Sequence, residues 1–153
     1  MIYTSKSLEE TEEIAMEFLK GISPKTTYAT VVGLYGNLGA GKTAFTKAVA
    51  KVLGVPDTVT SPTFVIMKAY ELSHFDTFTP STLTFDFLVH IDAYRLEKEE
   101  ELLHLGWKEI ISDPSNLIFI EWPERVSGII PDHIKIKFDT LPNENSREIE
   151  IIV

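Results

Sequence analysis

Apolar side chains recur along the chain at two spacings, one typical of helices and one typical of strands. Residues 7–20 carry an apolar stripe at helical spacing, and Ser7 and Glu10 stand three apart as in a capping box. Gly21 ends this predicted helix. Residues 42–53 place apolar side chains at i, i+3, i+4, i+7 and i+8, which predicts a second amphipathic helix.

Continuous and alternating apolar runs predict the strands of a sheet between and after these helices. The predicted strands are 28–35, 64–70, a segment within 82–92, 117–121, 134–138 and 149–153, and a short acidic helix is predicted at 97–105. The last two strands, joined by a polar turn at 141–146, predict an antiparallel pair at one edge of the sheet. This order predicts a three-layer α/β domain with a mixed sheet including antiparallel strands, and we expect residues 1–153 to form a single domain.

Composition and charge narrow the classes of function. The chain has 153 residues, of which 44% are hydrophobic and 24% charged, so it is typical of a globular domain rather than of a disordered or fibrous chain. It has no cysteine, which excludes disulfides, thiolate metal sites and a cysteine nucleophile. The net charge of −9 argues against binding DNA or RNA through a basic surface. Because no signal or membrane-span pattern occurs, we expect a cytoplasmic chain without membrane contact.

A glycine-rich segment connects the predicted strand 28–35 to the predicted helix 42–53. It runs from Gly36 to Thr43 as Gly-Asn-Leu-Gly-Ala-Gly-Lys-Thr, which matches the phosphate-loop pattern. Glycines let backbone N–H groups turn toward an anion, and the helix start favours phosphate. Lys42 can reach the β- and γ-phosphates, and the Thr43 hydroxyl can ligate Mg²⁺. The segment therefore predicts the binding of a nucleoside triphosphate.

A magnesium–nucleotide site also needs an acid at the end of a neighbouring strand. Asp92 and Glu121 each end an apolar run, and both are candidates. The Asn-Lys-x-Asp and Asp-x-x-Gly sequences of a GTPase do not occur, which argues against guanine specificity. A small-molecule kinase is the main rival, but such enzymes clamp phosphates with several arginines. The arginines of this chain, Arg95, Arg125 and Arg147, form no cluster in the sequence.

Three further strings follow the phosphate loop in a fixed order. They are Ser-Pro-Thr-Phe at 61–64, His-Ile-Asp-Ala-Tyr-Arg at 90–95 and Glu-Trp-Pro-Glu-Arg at 121–125. Together with the loop they resemble the TsaE (YjeE) family, bacterial P-loop ATPases needed for the threonylcarbamoyladenosine modification of tRNA. The resemblance covers about residues 5–138. The segment 73–81 makes this region longer than the usual hairpin of the family, which bears on the partner surface and leaves the motifs intact.

The resemblance implies roles for individual residues in nucleotide chemistry. Thr43 and Glu121 would ligate Mg²⁺, and Thr63 would lie near the γ-phosphate and the metal. Asp92 would act on the attacking water as general base or as a partner of the metal site. Trp122 would pack beside the nucleotide, with simple burial in the core as the alternative. The residues implied to hold the phosphates are Gly39, Ala40, Gly41, Lys42, Thr43 and Ala44. Gly36, the first glycine of the loop, is also predicted to bind the nucleotide.

In the family the N-terminal segment contacts the base of the nucleotide. The side chains available here are those of Thr4, Ser5 and Thr11, and Thr11 is taken as the predicted contact. Lys42, Asp92 and Thr63 would then serve the reaction itself.

The resemblance implies ATP and Mg²⁺ as ligands and the hydrolysis of ATP to ADP and phosphate. The partners would be TsaD, which transfers the threonylcarbamoyl group to adenosine 37 of tRNA, and its paralogous scaffold TsaB. The chain would contact tRNA only through these partners. Two alternatives stay open: a non-hydrolytic docking module in which bound ATP orders the loop 61–64, and a P-loop small-molecule kinase.

Overall fold

The computed structural model describes residues 1–55, 59–62, 64–72, 85–143 and 145–153, and the chain alternates strands and helices around one sheet. None of the helices in these ranges combines the length and the apolar run needed to cross a bilayer. The elements in chain order are β1 (Ile2–Ser5), α1 (Leu8–Lys20), β2 (Thr30–Tyr35), α2 (Lys42–Val52), β3 (Met67–Glu71), β4 (Phe87–Asp92), α3 (Glu99–Leu103), α4 (Trp107–Ile111), β5 (Asn116–Glu121), a 3-10 helix (Pro123–Val126), β6 (Ile134–Thr140) and β7 (Arg147–Ile152).

The sheet has seven strands in the order β1-β7-β6-β2-β5-β4-β3. Parallel pairing joins β2 to β5, β2 to β6 and β4 to β5, whereas the pairs β1–β7, β6–β7 and β3–β4 are antiparallel. This mixed sheet confirms the predicted fold class. The register sets Glu121 at the end of β5 beside Leu34 of β2 and Asp92 of β4. Both acids therefore lie at the carboxyl edge of the parallel strands, where open α/β sheets bind ligands.

Helices cover both faces of the central strands, which gives the predicted three layers. On β5, Leu117 and Phe119 pack in the core beneath α1 and α2, whereas Ile118 and Ile120 pack on the opposite side with α3, α4 and the 3-10 helix. Strands covered on both faces need apolar side chains at every position, which explains their continuous apolar sequence. The strands β6 and β7 carry charged side chains on one face, so their sequence alternates.

An aromatic cluster fixes α2 against α1 and the sheet. The ring centroid of Phe45 lies 6.1 Å from that of Phe18 in α1, 6.4 Å from Phe119 in β5 and 5.6 Å from Phe138 in β6. All four side chains are buried. Because Phe45 stands in the first turn of α2, this packing holds the start of that helix at the edge of the sheet.

The start of α1 confirms the predicted cap with one difference in its partner. The Ser7 hydroxyl accepts a hydrogen bond from the Glu10 N–H at 3.1 Å. The Glu10 carboxylate accepts from the N–H of Lys6 at 2.6 Å, rather than from that of Ser7. Both side chains thus still supply acceptors to backbone donors around the first turn.

The N-terminal strand β1 was not predicted, and it changes the place of the predicted antiparallel pair. β1 pairs with β7 in the register Ile2 with Glu150 and Ser5 with Arg147, so it lies outside β7. The prediction of β6 and β7 as a pair is confirmed, and its placement at the edge is wrong. A strand of four residues is too short to show a period, and its partner lies at the other end of the sequence.

Other helices and strands also begin or end at residues different from those predicted. The predicted helix 97–105 is the shorter α3, and the helix α4 that follows was not predicted. β3 begins at Met67 rather than at residue 64, because the N–H groups of Val65 and Ile66 bond to the carbonyl of Pro62 in a turn. The predicted strand within 82–92 begins at Phe87, and its residues 82–84 lie outside the described residues.

We expect Phe45→Ala to lower the free energy of unfolding by about 3–5 kcal/mol, because it removes a fully buried ring from the aromatic cluster. The matched control is Phe87→Ala on β4, where the side chain is 39% exposed and the loss should be about 1 kcal/mol or less. Urea denaturation followed by circular dichroism measures both. Equal losses would contradict the assigned role of Phe45.

Candidate functional site

The glycine-rich loop, residues 36–43, leads from the end of β2 to the start of α2. Gly39 and Gly41 have φ angles of +76° and +113°, a left-handed region that glycine adopts without strain. A Cβ atom at Gly41 would lie 2.8 Å from Cδ of Arg147, so the space there is also filled. Gly41 is the N-cap of α2 and offers no side chain to the helix. The first backbone N–H groups of α2 can therefore serve an external anion.

Lys42 is buried at the start of α2, with its ammonium group folded back over the loop. Its Nζ donates to the carbonyl oxygen of Gly36 and, at 3.5 Å, to that of Asn37. The same atom lies 3.7 Å from the centroid of the Trp122 ring, within the range of a cation–π contact. Burial lowers the pKa of Lys42 from its ordinary value, and the negative charge of Glu121 opposes this shift.

A buried hydrogen-bond network joins α2, β4 and β5. The Thr43 hydroxyl lies 2.8 Å from Oε1 and 3.0 Å from Oε2 of Glu121, and the carboxylate accepts its single proton. Nε2 of His90 lies 2.7 Å from Oε2 of Glu121. His90 is fully buried and Glu121 is 3% exposed, so these contacts compensate a carboxylate that has lost its water.

Nδ1 of His90 has no hydrogen-bond partner among the described residues. Because a carboxylate accepts, the proton of a neutral His90 ring belongs on Nε2, where it is donated to Glu121. Nδ1 then carries a lone pair and no proton. Leaving this acceptor without a partner costs less than leaving a buried N–H donor without one.

Asp92 ends β4 beside Glu121 and is also buried. Its Oδ1 accepts a hydrogen bond from the N–H of Tyr94 at 3.0 Å, which fixes the orientation of the carboxylate. Its own N–H donates to the carbonyl of Ile66 at 2.8 Å. The segment that follows Ser-Pro-Thr is thereby tied to the backbone of Asp92.

These groups surround a first cleft of about 510 Å³. Its floor is the loop and the start of α2, and its wall is formed by the ends of β4 and β5. Of the predicted site residues it collects Gly39, Ala40, Gly41, Lys42, Thr43, Ala44, Asp92, Glu121 and Trp122. Trp122 is half-buried, with its ring facing Lys42 and also packed against the apolar core that contains Ile118 and Ile120, so packing beside a nucleotide and core packing both stay predictions for it.

Two of the predicted residues, Gly36 and Thr11, do not line this cleft, and a third, Thr63, is not among the described residues. Gly36 does not line it and contributes its carbonyl to Lys42. Thr63 lies outside the described residues, although the neighbouring Ser61 lines the cleft. Thr11 lines a second cleft of about 310 Å³, together with residues from the starts of α1 and β7. The second cleft shares Gly41, Ala44 and Arg147 with the first.

Sequence reasoning missed several residues of the site. Tyr94, Arg95 and Arg147 line the first cleft, and the contact of His90 with Glu121 was not foreseen. Tyr94 and Arg95 follow Asp92 in the sequence, so their proximity to that acid was available as a signal. Arg147 carries no such signal, because only the pairing of β7 in the sheet brings it to the loop.

Oxygen donors for a metal converge at one point of the first cleft. No group of three or more histidine or acidic side chains able to hold a metal occurs in the described part of the chain. Thr43 and Glu121 supply a hydroxyl and a carboxylate in mutual contact. Mg²⁺ is commonly held by one or two carboxylates, with substrate phosphates and water completing its shell, so this pair fits Mg²⁺ better than a metal that needs an all-protein cage.

Known proteins resemble this chain in sequence over nearly its whole length. Proteins named tRNA threonylcarbamoyladenosine biosynthesis protein TsaE include one from Rickettsia conorii, 33% identical over 99% of this chain and 77% of the relative. The one from Treponema pallidum is 36% identical over 80% of this chain and 81% of the relative. The crystal structure of YdiB from Bacillus subtilis superposes with a TM-score of 0.69 and 27% identity, covering 99% of this chain and 83% of that chain.

The family comparison covers most of the chain, including the residues around the first cleft. The family model described as threonylcarbamoyl adenosine biosynthesis protein TsaE matches residues 5–149, from the end of β1 into β7. The match includes the glycine-rich loop and the strand ends that carry Asp92 and Glu121. The chain therefore belongs to the TsaE family.

Proposed function

We propose that the chain binds Mg²⁺–ATP in the first cleft, hydrolyses it to ADP and phosphate, and serves the threonylcarbamoyladenosine modification of tRNA. The observation that carries the proposal is the contact of the Thr43 hydroxyl with the buried Glu121 carboxylate, directly beside Lys42. A lysine, a hydroxyl and a carboxylate at the N-terminus of a helix form the set that P-loop proteins use for a nucleotide and its metal.

The phosphates would lie over the glycine-rich loop, where backbone N–H groups of α2 have no side-chain cap. Lys42 already points its ammonium toward the loop carbonyls and would exchange those acceptors for phosphate oxygens. An anion beside Lys42 favours its charged form and so opposes the lowering of its pKa by burial. Gly39, Ala40, Gly41 and Ala44 supply the backbone of the same cradle.

Mg²⁺ would be held by Thr43 and Glu121, and His90 would keep the carboxylate of Glu121 in place from behind. When bound, the ion supplies positive charge that neutralises the phosphate oxygens and the charge developing between them.

Hydrolysis requires a water molecule that is positioned and relieved of a proton. The water oxygen would bond to the γ-phosphorus while the bond from this phosphorus to the β–γ bridging oxygen breaks, which yields ADP and inorganic phosphate. Asp92 is the nearby carboxylate assigned to this water, as general base or through the metal site. Thr63 is assigned to the γ-phosphate on the family resemblance.

The role in tRNA modification rests on the family. Relatives carry this role in their names, and TsaB and TsaD are the partners that the resemblance implies. The net charge of −9 supports contact with tRNA through these partners rather than directly. An exposed apolar edge lies next to the cleft, because the Phe64 ring is 4.6 Å from the guanidinium carbon of Arg95, which lines the cleft. Phe64 is 85% exposed and its neighbour Val65 is 57% exposed. Such side chains suit a protein partner.

That edge favours a second candidate function, in which bound ATP only orders the segment 61–64 for docking and hydrolysis is incidental. An Asp92→Asn variant that binds ATP, does not hydrolyse it and still supports full tRNA modification would establish this alternative.

The first measurement is phosphate release from Mg²⁺–ATP, with and without TsaB, TsaD and tRNA. We expect release to be stimulated by the partners and lost in Lys42→Ala, which no longer holds the phosphates. Lys47→Ala is the matched control, because Lys47 lies on the same helix with an exposed side chain. Asp92→Asn should bind ATP but lose about 100-fold or more of its hydrolysis, the usual contribution of a general base. Undiminished turnover in Asp92→Asn would contradict its assignment.

Glu121→Gln tests the metal assignment, because it keeps the shape of the side chain and removes its charge. We expect the variant to bind ATP similarly with EDTA present, and to lose the gain in affinity that Mg²⁺ gives the unsubstituted chain. Calorimetry with and without Mg²⁺ measures this difference. Glu124→Gln, three residues further on at an exposed position, should keep the full gain. A magnesium gain retained in Glu121→Gln would remove Glu121 from the metal site.

Lys42→Met tests how much the buried ammonium group of Lys42 lowers the free energy of unfolding. Burial lowers the folded pKa of Lys42 from its ordinary value of 10.5, so the cost of burying the charge is fully present at pH values below the folded pKa. The variant should therefore be more stable than the unsubstituted chain in that lower pH range and bind no ATP. Its advantage should shrink as pH rises through the lowered pKa toward 10.5, as measured by urea denaturation. A stability difference that is independent of pH would show that burial does not penalise the charge of Lys42.

A further inference from the structure

We propose that Arg147 is a nucleotide-binding residue that contacts the α-phosphate, and this inference rests on the proposed function. Arg147 is the first residue of β7, paired with Ser5 of β1 and Thr140 of β6. This register carries it across the sheet to the glycine-rich loop. Its role is distinct from that of Lys42, whose ammonium lies at the Glu121 side of the first cleft.

The side chain of Arg147 lies directly on the loop. A Cβ atom at Gly41 would be 2.8 Å from Cδ and 3.0 Å from Nε of Arg147, so the absence of a side chain at 41 makes room for this arginine. Nη2 donates to the carbonyl oxygen of Gly39 at 3.5 Å, which is a long hydrogen bond. The guanidinium is thus held beside the backbone that would cradle the phosphates.

Most of the hydrogen-bonding capacity of Arg147 is unused by the described residues. A guanidinium has five N–H donors, and its Nε is buried without a partner among the described residues. No carboxylate in the described part of the chain forms an ion pair with it. A buried donor without an acceptor is costly, and a planar guanidinium matches two oxygens of a phosphate. The chemistry that would satisfy Arg147 is therefore an anion with paired oxygens.

The position of Arg147 between the two clefts indicates which part of a bound nucleotide it would contact. Gly41, Ala44 and Arg147 line both clefts, so they form the boundary between them. The proposed function puts the β- and γ-phosphates on the loop, and a base beside Thr11 would lie in the second cleft. In that arrangement the group that crosses the boundary is the α-phosphate with the ribose. ATP and ADP share that group, which distinguishes the contact from one with the γ-phosphate.

The test compares ATP and ADP affinity by calorimetry in the unsubstituted chain, Arg147→Met and Arg147→Lys. Methionine keeps an unbranched apolar stem over Gly41 and removes the donors, so a role limited to packing predicts no loss. We expect Arg147→Met to lose roughly tenfold or more in affinity, by the same factor for both nucleotides. Arg147→Lys, which keeps the charge without the planar fork, should lose less. Lys137→Met on β6, an exposed cation outside both clefts, is the control that should lose nothing.

A second readout addresses the α-phosphate directly. The Rp and Sp forms of ADP with sulfur on the α-phosphorus should bind the unsubstituted chain with different affinities, and the ratio should approach one in Arg147→Met. An unchanged ratio in Arg147→Met, an unchanged ADP affinity, or a loss confined to ATP would each overturn the inference.

Two controls, Lys42→Ala and a thermal melt of each unliganded variant, distinguish failure of the proposed function from failure of the Arg147 assignment and from loss of folding. If the unsubstituted chain binds neither ATP nor ADP, the proposed function fails and this inference fails with it. If it binds both, Lys42→Ala abolishes binding and Arg147→Met binds like the unsubstituted chain, only the role of Arg147 is overturned. If Arg147→Met melts far below the unsubstituted chain, Arg147→Lys decides, and full affinity for both nucleotides in that variant overturns the planar contact.

Discussion

The hydrogen bond from the Thr43 hydroxyl to the Glu121 carboxylate is the contact on which the rest of the site depends. It joins the first turn of α2 to the end of β5, two elements that the aromatic cluster around Phe45 already holds together. A buried carboxylate is tolerated only when donors replace its water, and here Thr43 and His90 supply them. Because these donors come from α2 and β4, the Glu121 carboxylate on β5 connects all three elements.

The same region carries strained backbone conformations. Among the described residues, Ile66 and Trp122 are the non-glycine residues with positive φ, at +70° and +58°. Such conformations cost about 1–3 kcal/mol each and persist where the surrounding structure imposes them. Trp122 follows Glu121 and lines the first cleft, and the carbonyl of Ile66 accepts from Asp92. The strain therefore lies where β4 and β5 end, with an apolar core on each face of the sheet to support it.

The features that could be predicted from the sequence are those that depend on the pattern of neighbouring residues along the chain. The loop 36–43 has a fixed spacing, and Asp92 and Glu121 end apolar runs that parallel strands require. The contact of His90 with Glu121 depends on which strands are neighbours, and the position of Arg147 depends on β7 lying between β6 and β1. The spacing of residues along the chain does not predict this order of strands in the sheet, because strand pairing joins residues that are far apart in sequence.

The hydroxyl group of Thr11, which lines the second cleft and contacts the buried Ser5, limits how a base can be recognised there. Ser5 Oγ and Thr11 Oγ1 lie 2.7 Å apart, and each lies within hydrogen-bond distance of the carbonyl oxygen of Ser7. Each hydroxyl has one proton, and this carbonyl together with the neighbouring hydroxyl provides acceptors for both. The Thr11 hydroxyl can thus offer a ligand in the cleft a lone pair without breaking its own contacts, whereas donation to the ligand would break one.

Leu8, Phe138 and Ile149 add apolar surface to the second cleft. On the proposed function, a base placed there would meet apolar contacts and hydroxyl acceptors, which suits a base that presents an exocyclic amino group. The amino group of adenine meets that requirement, but so do those of guanine and cytosine. The hydroxyl of Thr11 alone would therefore not select adenine, and the shape of the cleft between α1 and β7 would have to contribute the discrimination.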